Sequence, residues 1–61
     1  MKNGTYKVTK FIHVFSCNNG HLKLPEGTQV KINGYRAITD NSIRFPSEML
    51  NTVQDSLEKI N

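Results

Sequence analysis

The sequence of 61 residues contains little of what small proteins use for covalent or metal-based stability. It has one cysteine, which cannot form an intramolecular disulfide and agrees with a reducing compartment. It has no tryptophan and only two histidines. The longest apolar run, residues 11–15, contains His13 and is far shorter than the roughly 20 residues of a membrane-spanning helix. The first residues lack the apolar core of a signal peptide, so we expect a cytoplasmic protein, in the host cytoplasm if a phage encodes it.

The composition is typical of a folded domain. Hydrophobic residues make up 36% of the chain and charged residues 21%. This composition is typical of globular proteins and not of disordered chains. A chain of this length buries only about 60% of its unfolded surface, so its core is expected to be thin. We therefore predict a single domain over residues 1–61, of modest stability unless it oligomerises or binds a partner.

The net charge of +3 is unevenly distributed. Residues 1–44 contain seven lysines and arginines against two acidic residues, whereas residues 45–61 contain one lysine against three acidic residues. This asymmetry either attracts a negatively charged partner to the basic part or belongs to an ordinary solvated surface.

Alternation of apolar and polar residues predicts five strands, at about residues 5–17, 21–24, 28–32, 35–39 and 42–45. Asn33-Gly34 is a strong hairpin signal, and Pro25 with Gly27 predicts a second turn. Within the first strand, residues 11–15 are apolar on both faces apart from His13. Such a strand is buried on both faces, bends across a barrel corner or meets a second chain.

The C-terminal part has a different pattern. Leu50, Val53, Leu57 and Ile60 are spaced by three, four and three residues, which predicts an amphipathic helix over residues 47–60. That helix is expected to pack on its own sheet, although the same spacing also fits a two-chain helical seam. The predicted fold class is mainly β (α+β): a small antiparallel barrel or curled sheet of four to five strands with a C-terminal helix.

The stretches LKLPEGTQVKI (residues 22–32) and SIRFPSEML (residues 42–50) resemble the pattern of SH3-like barrels. In that family, a Leu-x-Leu or Leu-x-Phe strand leads through a glycine-containing turn into a Val-x-Ile strand, and a later strand closes on a proline-initiated helical turn. The matching positions are Leu22, Leu24, Gly27, Val30, Ile32, Ile43, Pro46 and Leu50. The resemblance covers about residues 20–50 and implies an SH3-like scaffold of the kind found in bacterial and phage accessory proteins.

The resemblance does not extend to the peptide-binding groove of eukaryotic SH3 domains. That groove holds proline-rich peptides between aromatic side chains. In this chain only Pro46 matches a residue of that groove. Met49 lies where the family has a tyrosine, and the loop over residues 16–21 has no acidic residue to bind an arginine of the peptide. Fold alone does not determine function, so binding of proline-rich peptides is not expected.

No residue pattern predicts catalysis, and we expect no cofactor, no bound metal and no enzymatic activity. His13, Cys17 and His21 are spaced four apart, and residues at that spacing on one strand lie about 13 Å from each other. A turn at residues 18–20 would bring Cys17 and His21 together and leave His13 remote. Zinc sites usually have four ligands, and a Cys-His nucleophile needs a third group to orient it.

Two functions therefore remain. The leading hypothesis is a small non-enzymatic protein-interaction module, for example an inhibitor from a phage or mobile element that binds and modulates a host protein. Its interface candidates are Phe11, Phe15, Met49 and Leu50, which also suit a homodimer. The alternative is a nucleic-acid-binding barrel that uses Lys7, Lys10, Lys23, Lys31, Arg36 and Arg44. The rings considered for base stacking are Tyr6, Phe11, Phe15 and Tyr35. No membrane partner is expected, and the sequence leaves the partner, the source organism and the oligomeric state open.

Overall fold

The computed structural model describes residues 1–18 and 20–61, and it is mainly β. Its strands are β1 (Gly4–Val8), β2 (Ile12–Ser16), β3 (Gly20–Leu24), β4 (Gln29–Asn33), β5 (Arg36–Thr39), β6 (Arg44–Pro46) and β7 (Leu57–Lys59). Two short 3₁₀ segments, Ser47–Leu50 and Gln54–Ser56, lie between β6 and β7. The predicted fold class is confirmed at the level of a mainly β, antiparallel protein. The SH3-like assignment within that class rests on the sequence resemblance alone.

The strands form two antiparallel sheets. The larger sheet has the strand order β6-β5-β4-β1-β7, and β2 pairs with β3 in a separate hairpin. In the β4–β5 hairpin Asn33 pairs with Arg36, so Gly34 and Tyr35 are the two central residues of the turn. Gly34 has a φ of 63°, and Tyr35 is not among the residues of positive φ. Positive φ at only the first central residue is typical of a type II′ turn, in which glycine is favoured at that position.

The predicted first strand, residues 5–17, is divided into two strands. β1 ends at Val8, β2 begins at Ile12, and the two strands belong to different sheets. Neighbouring apolar residues at this break differ in burial: Ile12 is buried in the core, whereas Phe11 is exposed to solvent. The chain therefore bends from one sheet to the other, and the exposure of Phe11 and Phe15 contradicts burial on both faces, whereas contact with a second chain stays a prediction.

The predicted helix over residues 47–60 is wrong. Leu50 is fully buried within the first 3₁₀ segment, and Leu57 starts β7, which pairs antiparallel with β1 through Val8↔Leu57 and Tyr6↔Lys59. A helix of this length is marginal by itself, whereas an extended chain satisfies the backbone groups along the edge of β1. Burial of Leu50 and partial burial of Val53 and Leu57 therefore reflect packing of an irregular segment rather than a helical stripe.

The core lies between the two sheets. It comprises ten buried hydrophobic residues contributed by both sheets and the first 3₁₀ segment: Tyr6, Val8, Ile12, Leu22, Leu24, Val30, Ile32, Ala37, Phe45 and Leu50. Since both sheets direct one face to this core, the outer face of the hairpin and the outer face of the larger sheet remain for function. Within the described part of the chain, no helix has the length and apolar character needed to cross a membrane.

Candidate interaction surfaces

The outer face of the β2–β3 hairpin is unusually rich in rings. We define the aromatic face as Phe11, His13, Phe15, His21 and Lys23, all of which are exposed. It follows from strand alternation, because Ile12, Leu22 and Leu24 point to the core and their neighbours point outward. Phe11 and Phe15 are 59% and 64% exposed. These two predicted interface residues are therefore accessible; Phe15 lies in β2, and Phe11 directly precedes that strand.

Three rings of this face are packed in a row across the two strands. Phe15 lies directly opposite His21 in the hairpin register, and their ring centroids are 4.8 Å apart. His13 lies diagonally from His21 with a centroid distance of 5.1 Å. Its Nε2 also shares a hydrogen bond of 2.9 Å with Nδ1 of His21. His21 is thus the central ring, with a tilted ring contact to Phe15 on one side and a hydrogen bond to His13 on the other.

The contact between the two histidines corrects a sequence-based expectation. Cys17 and His21 were expected to meet across the turn, with His13 remote. The register pairs Ser16 with Gly20, which places His13 close to His21. Cys17 is an exposed free thiol, and the described residues contain no group of three or more His, Cys, Asp or Glu that could hold a metal ion.

A shallow groove adjoins one end of the aromatic face. It has a volume of about 430 Å³ and is lined by Val14, Phe15, Ser16, Glu48, Met49, Asn51 and Thr52. The groove forms where β2 packs beside the Ser47–Leu50 segment. Met49 is half-buried there and shares this groove with Phe15, and its interface role stays a prediction.

Leu50 does not belong to this surface. Its side chain is fully buried in the core, so it is inaccessible to a partner of the folded protein. The reason is the 3₁₀ geometry of Ser47–Leu50, which turns Leu50 inward and leaves Met49 at the groove. Its proposed role as an interface residue is therefore corrected to a structural one.

The second surface is basic. The outer face of the larger sheet carries four exposed cations, and we define these as the basic face: Lys7, Lys31, Arg36 and Arg44. Ile38 lies at its centre, since it pairs with Lys31 on one side and Arg44 on the other. A groove of about 360 Å³ runs along Lys31, Arg36 and Arg44. None of the described cations forms an ion pair with a described carboxylate.

The six predicted nucleic-acid residues do not lie on one surface. Lys7, Lys31, Arg36 and Arg44 share the basic face. Lys23 lies on the aromatic face opposite His13, and Lys10 lies in the connection between β1 and β2. Of the four rings considered for base stacking, Tyr35 is the most exposed, at 91%, and it lies in the turn of the β4–β5 hairpin. Tyr6 is buried in the core and is not accessible to a ligand.

Comparison with protein-family models, with curated proteins and with solved structures finds no match. The functional assignment therefore depends on the two surfaces themselves.

Proposed function

We propose that this protein is a non-enzymatic protein-interaction module that binds its partner through the aromatic face and the adjoining groove. The observation that carries the proposal is the exposure of Phe11 and Phe15, at 59% and 64%. The core is closed by other residues, so neither ring is needed to fill it. Complete burial of a phenylalanine side chain against a partner is worth about 1.5–3 kcal/mol, and aromatic anchors of this kind dominate binding energies.

The packing of the rings favours binding further. Phe15, His21 and His13 already contact one another in the free protein. A partner therefore meets a surface whose side chains have lost part of their rotational freedom, which lowers the entropic cost of association. The groove beside Phe15 offers room for a side chain of the partner, in contact with Met49.

The charges on this face define the chemistry of the partner. Lys23 is part of the face, Lys10 lies in the preceding connection, and Glu48 lines the adjoining groove. The partner accordingly presents an apolar pocket for the phenylalanines, acidic residues opposite Lys23 and Lys10, and a basic or polar residue opposite Glu48, because complementary charges steer association. We propose a larger cytoplasmic protein, for example a host protein that this module inhibits, as the partner.

The experiment has two steps. A tagged protein is used to capture partners from a nuclease-treated lysate of its native host, and the captured protein is then purified and its affinity measured by calorimetry. We expect the F11A/F15A double variant to weaken binding at least tenfold. The matched control is Y35A, which removes an exposed ring outside the aromatic face and is expected to bind as the parent does.

Equal affinities of F11A/F15A and the parent protein would refute this interface. Size-exclusion chromatography at rising concentration tests the homodimer, which would use the same rings. A dimer that F11A/F15A dissociates would replace the heterologous partner with a second copy of this chain.

A second candidate function is supported by the basic face. Lys31, Arg36 and Arg44 surround Ile38 without ion pairs among the described residues, and Tyr35, the residue before Arg36, is an exposed ring at the end of the same sheet. Cations that are free of carboxylates bind phosphates with a strong dependence on salt, and exposed rings stack on unpaired bases. This combination suits a single-stranded nucleic acid.

Binding of a fluorescent single-stranded oligonucleotide at several salt concentrations tests this candidate. We expect K31A to weaken binding and to reduce the salt slope by about one. The control K2A removes the same charge from a residue outside the basic face. No binding of the parent protein at low ionic strength would refute the nucleic-acid function, and equal effects of K31A and K2A would refute its location.

A further inference from the structure

We propose that His13 and His21 form a two-histidine chelating site for a divalent transition-metal ion, with Cu²⁺ preferred over Ni²⁺ and Zn²⁺. The observation is the separation of 2.9 Å between Nε2 of His13 and Nδ1 of His21 on an exposed strand pair. This proposal does not depend on either proposed function.

The separation of the nitrogens fits neighbouring ligands of one metal ion. Metal–nitrogen bonds of about 2.0–2.1 Å at a right angle place the two nitrogens about 2.9 Å apart. A tetrahedral angle requires about 3.3 Å, which is a small displacement for exposed side chains. Right-angled ligand positions belong to tetragonal or square-planar sites, which Cu²⁺ and Ni²⁺ prefer with nitrogen ligands.

Binding requires a change of tautomer in one of the two rings. In the free pair one ring N–H donates to the lone pair of the other ring, so one facing nitrogen is protonated. With metal bound, His13 carries its proton on Nδ1 and His21 carries its proton on Nε2, and both facing nitrogens present lone pairs. Each ring then turns outward so that the lone pairs converge, which the exposure of both side chains permits.

The residues around the two histidines limit the affinity of the site for metal ions and determine which ion it prefers. Lys23 lies directly opposite His13 and repels a cation, and no third His, Cys, Asp or Glu joins the pair among the described residues. Water completes the coordination. With two imidazoles as the only protein ligands, the order of affinity follows the general order for divalent ions, in which Cu²⁺ binds more tightly than Ni²⁺ or Zn²⁺.

The metal ion would connect β2 to β3. These strands form a two-stranded sheet, and such hairpins depend on packing for their stability. The chelate would also hold His21 in place beside Phe15. Occupancy of the site is therefore expected to stabilise the hairpin and to change the chemistry of the aromatic face.

The test is titration of the purified full chain, without a histidine tag, with Cu²⁺, Ni²⁺ and Zn²⁺ separately. Calorimetry gives affinity and stoichiometry, and thermal unfolding gives the shift in Tm. We expect one Cu²⁺ per chain and a Tm that rises with Cu²⁺ concentration. H13N and H21N are each expected to weaken Cu²⁺ binding roughly tenfold or more, equivalent to about 1.4 kcal/mol. The control C17S removes the exposed thiol and is expected to bind as the parent does.

The outcomes are distinct. Absence of stoichiometric Cu²⁺ binding by the parent chain would overturn the proposal, as would unchanged binding in H13N and H21N or loss of binding in C17S. Paramagnetic broadening by Cu²⁺ of NMR signals from β2 and β3 alone would support it independently of the variants. One ion per two chains, lost in both histidine variants, would also support the chelate and add a second copy as the source of further ligands.

Discussion

Substitution of Gly4 by alanine is expected to be among the most destabilising single changes in this protein. Gly4 begins β1 with a φ of 146°, a conformation that side-chain-bearing residues rarely adopt. A Cβ atom added there would lie 2.5 Å from the backbone oxygen of Asn61 and 2.7 Å from Cε of Lys59. The lysine chain can move, but the oxygen of Asn61 accepts a hydrogen bond of 2.8 Å from the amide of Thr5.

The magnitude follows from two contributions. The unfavourable φ costs about 1–3 kcal/mol. Relief of the clash moves the C-terminal residues away from β1. That movement disrupts the bond from Thr5 to Asn61 and the 2.8 Å bond from the amide of Ile60 to the oxygen of Thr5. Each is worth about 0.5–1.5 kcal/mol, so G4A is expected to lose about 2–6 kcal/mol. A domain of this size has a total of about 3–9 kcal/mol.

Urea unfolding followed by far-UV circular dichroism measures this loss. The matched control is G27A, because Gly27 also has a positive φ, 92°, but a Cβ there meets no atom within 4 Å. It is expected to lose only the backbone contribution, about 1–3 kcal/mol. Removal of residues 60–61 from the parent protein and from G4A completes a double-mutant cycle. In the shortened chain, the loss of unfolding free energy caused by G4A should be smaller than in the full chain. Equal losses in G4A and G27A, or no coupling to residues 60–61, would refute the steric reasoning.

Three further predictions concern the core, a turn and the aromatic face. L50A removes a fully buried side chain and is expected to cost about 2–5 kcal/mol in urea unfolding; a loss under 1 kcal/mol would contradict its place in the core. S47A removes the hydroxyl that donates a 2.9 Å bond to the oxygen of Gly34, so we expect a loss of about 1 kcal/mol in the same assay, and no change would contradict the role of that bond. F15A is expected to change the unfolding free energy by less than about 1 kcal/mol because the ring is 64% exposed, and a core-like loss would mean that Phe15 is structural.

The strands with simple alternation were predictable from the sequence. In β4, Val30 and Ile32 are buried while Gln29, Lys31 and Asn33 are exposed, as expected for a strand with one face on the core. β3 follows the same rule. In both strands the polarity of each side chain agrees with its solvation, so local sequence is sufficient to assign the face.

The C-terminal part was not predictable in the same way, because two structures satisfy the same pattern. Leu50, Val53 and Leu57 lie on one stripe of a helix, yet they are also buried or half-buried in an irregular segment that ends in a strand. The extended structure forms because one edge of β1 would otherwise be unpaired. Leu57–Lys59 pairs with this edge as strand β7. That edge is a property of the assembled sheet and is not visible in residues 47–60.

The row of rings was missed for a related reason. Facing residues in a hairpin depend on the length of its loop, and the predicted turn at residues 18–20 put Cys17 opposite His21. The observed register pairs Phe15 with His21 and His13 with Lys23. A displacement of two positions along β2 leaves every side chain on its own face but changes its partner. The exposed face could therefore be predicted, whereas the contact between the histidines could not.

The arrangement of the core separates the two proposed functions. The aromatic face is the outer side of the hairpin, and the basic face is the outer side of the larger sheet. Because the inner sides of both sheets meet at the core, the outer sides point away from each other across a molecule of 30 × 23 × 21 Å. A compact ligand on one face leaves the other exposed. Variants at Phe15 and at Arg36 should thus act independently: loss of both activities from either substitution would place the two binding events on one surface, contrary to this geometry.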